Sequence, residues 1–119
     1  MKKTVVIGAS TNPQRYAYLA TQRLQQKGIP VVPVGLREGD INGEKILTGF
    51  PEIEGVHTVT LYVGPKHQEH WLDYVIKLNP KRVIFNPGTE NAEVEQAIEN
   101  KQIEVLHACT LVLLSTNNY

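Results

Sequence analysis

The chain has 119 residues, 41% of them apolar, and its twelve basic side chains are matched by twelve acidic ones. That is enough to bury a core without metals or disulfides, and a single domain over residues 1–119 is expected. The even charge argues against a nucleic-acid partner, which requires a basic stripe, and no apolar run reaches the length of a membrane span.

Lys3 to Gly8 is a short β-branched run and reads as a strand. Asn12-Pro13 then supplies a helix cap and a first helical residue, with Ala17, Ala20 and Leu24 on one apolar face and Gly28 as the terminator. Val31 to Val34 is a second buried strand, Lys45 to Leu47 a short edge strand and Thr58 to Val63 a stronger one. Trp71, Val75 and Leu78 keep helical spacing until Asn79-Pro80, where proline forces the preceding residue out of helical geometry. Arg82 to Phe85 is a strand, Asn91 to Asn100 a helix with Val94, Ala97 and Ile98 facing inward, and Ile103 to Leu106 a last strand. Leu111 to Leu114 is a short apolar run suited to the core or to a contact between subunits.

Strands alternating with helices predict an α/β fold: a three-layer, Rossmann-like, doubly wound parallel sheet of five to six strands with helices on both faces. In such sheets the ligand sits beyond the carboxyl ends of the strands, so the loops there are the places to look for function.

The first loop, Gly8-Ala9-Ser10-Thr11-Asn12-Pro13, joins a strand to a helix, where free helix amides attract phosphate oxygens. It lacks the further glycines of the dinucleotide fingerprint, and an ordinary tight turn is the competing account. Arg15 falls in the first helical turn, where a cation is favoured only if an anion offsets the helix dipole; simple exposure is the alternative. Of Tyr16 and Tyr18, neither shares a face with Ala17, and one is a candidate for the cleft. Residues 1–40 carry six basic against two acidic groups and the remainder six against ten, a bias that suits an anionic ligand held near the first loop.

After the second strand comes Gly35-Leu36-Arg37, with no carboxylate at the strand end where enzymes using NAD place one. Arg37 suits a phosphorylated ribose, as in coenzyme A or NADP, unless it pairs with Glu38 or Asp40. Tyr62-Val63-Gly64-Pro65 makes a second backbone platform, and Asn86-Pro87-Gly88-Thr89-Glu90 a wall in which Gly88 permits a sharp turn. His67 and His70 share a helix face but have no third ligand, so a metal site is not read there. His107 and Cys109 lie two apart with no orienting group in view, which favours a thiol without catalytic duty. The lone cysteine, and an apolar run after Lys2-Lys3 that stops at Gly8, point to the cytoplasm.

The succession Gly8-Ala9-Ser10-x-Asn12-Pro13-x-Arg15-x-Ala17-Tyr18, Val32-Pro33-Val34, Gly43 to Leu47, Tyr62-Val63-Gly64-Pro65, Pro87-Gly88 and Cys109 resembles the small stand-alone coenzyme A-binding proteins. These are similar to the nucleotide-binding domain of the succinyl-CoA synthetase α subunit. The resemblance implies that Gly8, Ser10, Asn12, Pro13 and Arg15 surround the pyrophosphate of coenzyme A or an acyl-CoA. It implies Arg37 at the adenosine end and Val63, Gly64 and Pro65 beside adenine. Gly35-Leu36 replaces the Asn-Pro common in the family, and His107-Ala108 replaces an Asn-Arg or Asp-Arg pair. Synthetase activity does not carry over, because it needs further domains. The expected function is therefore coenzyme A binding by a non-catalytic or regulatory module. Two alternatives stay open: an NADP-dependent oxidoreductase, and an interaction module that self-associates through its C-terminal segment.

Overall fold

A computed structural model describes residues 1–119. Its elements are β1 (Thr4–Ile7), α1 (Tyr16–Gln26), β2 (Val31–Val34), β3 (Gly39–Ile41), β4 (Glu44–Ile46), β5 (Thr58–Leu61), α2 (Glu69–Leu78), β6 (Arg82–Phe85), α3 (Ala92–Glu99), β7 (Glu104–His107) and α4 (Thr110–Ser115). Five strands form one sheet in the order β2-β1-β5-β6-β7, with every neighbouring pair parallel. Covered on both faces, β1, β2, β5 and β6 read as continuous runs such as Thr-Val-Val-Ile, whereas edge strand β7 is partly exposed.

The two-residue period of a strand sends neighbours to opposite layers. In β1, Val5 and Ile7 enter a core with Trp71, Tyr74 and Val75 of α2 and with Val94 and Ile98 of α3. Val6 enters the other, with Ala17 and Leu24 of α1, Ile41 and Ile46 of the hairpin and Leu114 of α4. Burying each such aliphatic side chain contributes about 1.5–3 kcal/mol relative to leaving it in water.

Two differences from the sequence reading have local causes. Helix α1 begins at Tyr16 instead of Pro13, because Asn12 and Ser10 use their side chains on the preceding turn: Asn12 N donates to Ser10 Oγ and Gln14 N to Asn12 Oδ1, each at 3.0 Å. Residues 39–46, expected to hold only the start of an edge strand, fold as the antiparallel hairpin β3–β4 about Asn42-Gly43, both at positive φ. Asn-Gly is the strongest short hairpin signal. Leu47 alone takes the expected edge position, bridging to β2 through Gly35 N→Leu47 O and Leu47 N→Pro33 O, both 2.9 Å. Pro33 tolerates a place in β2 because its missing N–H falls on this outer side.

Candidate functional site

The strand order turns at β1, with β2 on one side and β5 on the other, so the crevice of a doubly wound sheet opens above β1 and β5. Its floor is main chain. Gly8 has φ +97°, and a Cβ there would lie 2.6 Å from the carbonyl oxygen of Tyr62. A Cβ on Gly35 would meet Ala9 O at 2.5 Å. Both glycines therefore serve the close approach of one loop to another.

The amides of the first loop divide into used and unused. Gly8 N and Ala9 N both donate to Val34 O at 3.0 Å, and Arg15 N donates to Asn12 O at 3.0 Å. Asn12 N, expected to be open to ligand, is taken by Ser10 Oγ. The amides of Ser10, Thr11, Tyr16, Ala17 and Tyr18 donate to no group in the protein. The last three are the orphan donors of α1, whose N-cap, Arg15, makes no side-chain cap.

A cleft of about 870 Å³ opens here. Of the expected residues, Gly8, Ala9, Ser10, Asn12 and Arg15 line it from the first loop, Arg37 from the second, Gly64 from the third, and Pro87 and Gly88 from the fourth. Pro13, Val63, Pro65 and Cys109 do not line it. Pro13 is an exposed turn residue, Val63 packs against the α2/α3 core, Pro65 opens a 3-10 turn, and half-buried Cys109 precedes α4. Tyr16 reaches the cleft, whereas Tyr18 packs into the core beside α1. Thr11, Gln14, Glu38, Ile46 and Thr89 also line the cleft and went unremarked as site residues in the sequence. The hairpin that delivers Ile46 carried its signal in Asn42-Gly43; the others follow flagged residues by one or two positions.

Both cleft arginines are free of carboxylates, since the ion pairs of the protein are Lys77–Glu52 and His107–Glu95. Asp40, one candidate partner for Arg37, instead accepts the hairpin amide Gly43 N at 2.8 Å.

Beneath the walls lies a polar network. Buried Asn86 donates to Thr60 Oγ1 (2.8 Å) and Leu61 O (2.9 Å) and accepts Thr110 N (2.9 Å), tying β5, β6 and α4 together at their cleft ends. Tyr62 lines the cleft, but its hydroxyl is buried beside Thr60 and Thr110, which bond each other at 2.8 Å and leave it without a partner. Burial consequently holds that phenol well above the ordinary tyrosine range.

His107 does have an orienting group. Its Nε2 lies 2.5 Å from Glu95 Oε1, while Glu95 Oε2 accepts Asn91 N at 2.8 Å at the start of α3. The imidazole packs edge-on against Phe85, and no hydrogen bond joins it to Cys109. His70 packs against Phe50 and Trp71, and no three His, Cys, Asp or Glu side chains gather to hold a metal.

Fold and cleft together define a Rossmann-like α/β domain with a ligand crevice at its topological switch point. Within that class the chain belongs to the CoA binding domain family, which matches residues 2–115. It is similar to an uncharacterized protein of known crystal structure, 48% identical over 100% of this chain and 98% of that one, with a TM-score of 0.97. A hypothetical protein from Pyrococcus horikoshii OT3 is 25% identical over 97% and 82% of the two chains, with a TM-score of 0.88. The dinucleotide-forming acetyl-coenzyme A synthetase 1 of Ca. Korarchaeum cryptofilum shares the fold at 18% identity, over 90% of this chain and 25% of that one, with a TM-score of 0.74. A comparison with curated proteins finds no match. Membership of the family supports coenzyme A binding in general, and no helix is long and apolar enough to cross a membrane.

Proposed function

We propose that the chain binds coenzyme A or an acyl-CoA through the first loop, as a non-catalytic or regulatory module. The observation that carries this reading is the set of amides on Ser10, Thr11, Tyr16 and Ala17 that lack protein partners on residues lining the cleft. A pyrophosphate is the part of the ligand these donors suit, with Arg15 adding a charge-assisted bond. The volume falls within the range of roughly 300–1,000 Å³ usual for small-molecule sites. Arg37 serves the ribose phosphate, and Gly64, with its neighbours Val63 and Pro65, the adenine side. Self-association through the C-terminal segment would use Val112, the exposed apolar side chain of α4, and is read by sedimentation.

Thermal shift with a ligand series tests the reading, because a ligand selective for the folded state raises Tm. Coenzyme A should raise it more than AMP does, and dephospho-coenzyme A should fall between. Equal shifts for coenzyme A and AMP would remove the main support. One observation favours a second reading, a dinucleotide site: Glu38 lines the cleft beside Arg37, where a carboxylate can reach ribose hydroxyls. Tighter saturable binding of NADH or NADPH than of coenzyme A would select it, NADH if Glu38 takes the ribose hydroxyls and NADPH if Arg37 takes a ribose phosphate.

A further inference from the structure

We propose that Gln68 is a positioning residue that sets the spacing between the two far walls of the cleft, a role that rests on the coenzyme A reading above. Gln68 lies between the 3-10 turn and α2 and is 1% exposed. Its Nε2 donates to Val63 O at 2.9 Å and to Thr89 O at 2.5 Å. The first carbonyl belongs to the loop after β5, the second to the loop after β6. Both partners are acceptors, so only the nitrogen end of the amide fits between them.

The other end of the same amide is what separates this role from packing. Gln68 Oε1 is buried with no hydrogen-bond partner. An orphaned acceptor disfavours the fold, and a methionine of similar length would fill the space without one. Glutamine therefore offers something an apolar residue cannot, a bond from one atom to two chain segments. Those segments carry Gly64 on one side and Pro87, Gly88 and Thr89 on the other, all in the cleft wall. Gly64 and Gly88 have open space around them, and Gly88 adopts a φ of +90°. Such segments are intrinsically loose. At the strand ends Asn86 holds Leu61 O, but farther out the other side-chain link is a 3.3 Å bond from Asn91 Nδ2 to Pro65 O, exposed to water. Gln68 supplies the buried tie.

The test compares Gln68→Met with the unsubstituted protein by ligand-free amide hydrogen exchange and by calorimetric titration with coenzyme A and with inorganic pyrophosphate. Exchange should accelerate in residues 62–65 and 86–90 but not in 8–12. Coenzyme A affinity should fall about tenfold, whereas pyrophosphate, held by the first loop and α1, should bind as before. Tm should fall by several degrees, roughly the loss that follows when buried carbonyls lose their donor, with the fold retained. A general loss of structure would lower both affinities together, which separates it from the proposed role. Gln68→Glu keeps the shape and serves if the methionine variant folds poorly: at pH 8 its carboxylate cannot donate, and on acidification the protonated acid regains one bond, so binding should recover toward low pH. Unchanged exchange in the two loops, or wild-type coenzyme A affinity in both variants, overturns the proposal. If the unsubstituted protein takes up pyrophosphate but not coenzyme A, the ligand reading fails while the exchange data still decide the role of Gln68.

Discussion

The two ends of the parallel sheet treat their polar groups in opposite ways. At the amino ends of the strands, cations are consumed by the fold. Arg82 is 8% exposed, donates from Nε to Thr58 Oγ1 at 2.8 Å and lies 4.6 Å from the centre of the Tyr119 ring. Lys2 reaches the Tyr119 carbonyl and Lys3 the Glu54 carbonyl. At the carboxyl ends, five amides have no protein partner and Arg15 and Arg37 have no carboxylate. Both ends are rich in donors, so a count of charges does not distinguish them. What marks the cleft end is that its donors are left unspent.

This contrast can be broken most severely at Gly8. Gly8→Ala places a Cβ against Tyr62 O at a backbone angle that other residues rarely adopt, so it should lose about 3 kcal/mol of stability in denaturant unfolding and coenzyme A binding with it. Arg82→Met sharpens the comparison from the other end: unfolding should cost about 1–3 kcal/mol less than in the unsubstituted protein, with coenzyme A affinity unchanged. Arg15→Ala should do the reverse, weakening coenzyme A about tenfold in calorimetry while Tm stays put.

The smallest effect concerns pH. Burial, and then the charges of Arg82, Lys2 and Lys81, hold His57 below its usual 6.5. The unfolded chain thus binds more protons than the folded one just below pH 6.5, and stability present above that pH declines as it falls toward the lowered value. His57→Gln should flatten that decline in thermal melts without altering the pH dependence of ligand binding at the far end.

The strands were legible because both faces of the sheet are buried: runs such as Thr58–Leu61 and Arg82–Phe85 are apolar or β-branched at nearly every position. The start of α1 was not, since Asn12 and Pro13 suit a helix cap as well as the turn they form, and the choice between them depends on where Ser10 Oγ points. Cleft-lining residues in the loops that follow strands, such as Gly8, Arg37 and Gly88, followed from topology. Ile46 did not, because only the folded hairpin brings it to the cleft. Gln68 carries no signal in the sequence; its burial comes from two loops meeting over it, which no local pattern encodes. His107 gained its carboxylate from α3 for the same reason.

The contact between Gly8 and the Tyr62 carbonyl fixes the backbone of the first loop, since no side chain fits between them. Because the proposed diphosphate site is assembled from peptide groups, point changes at Tyr16, Leu36, Arg37 or Glu38 are expected to retune which nucleoside is preferred without erasing diphosphate binding. Selection or engineering on this scaffold is thereby free at the rim and conservative at the base.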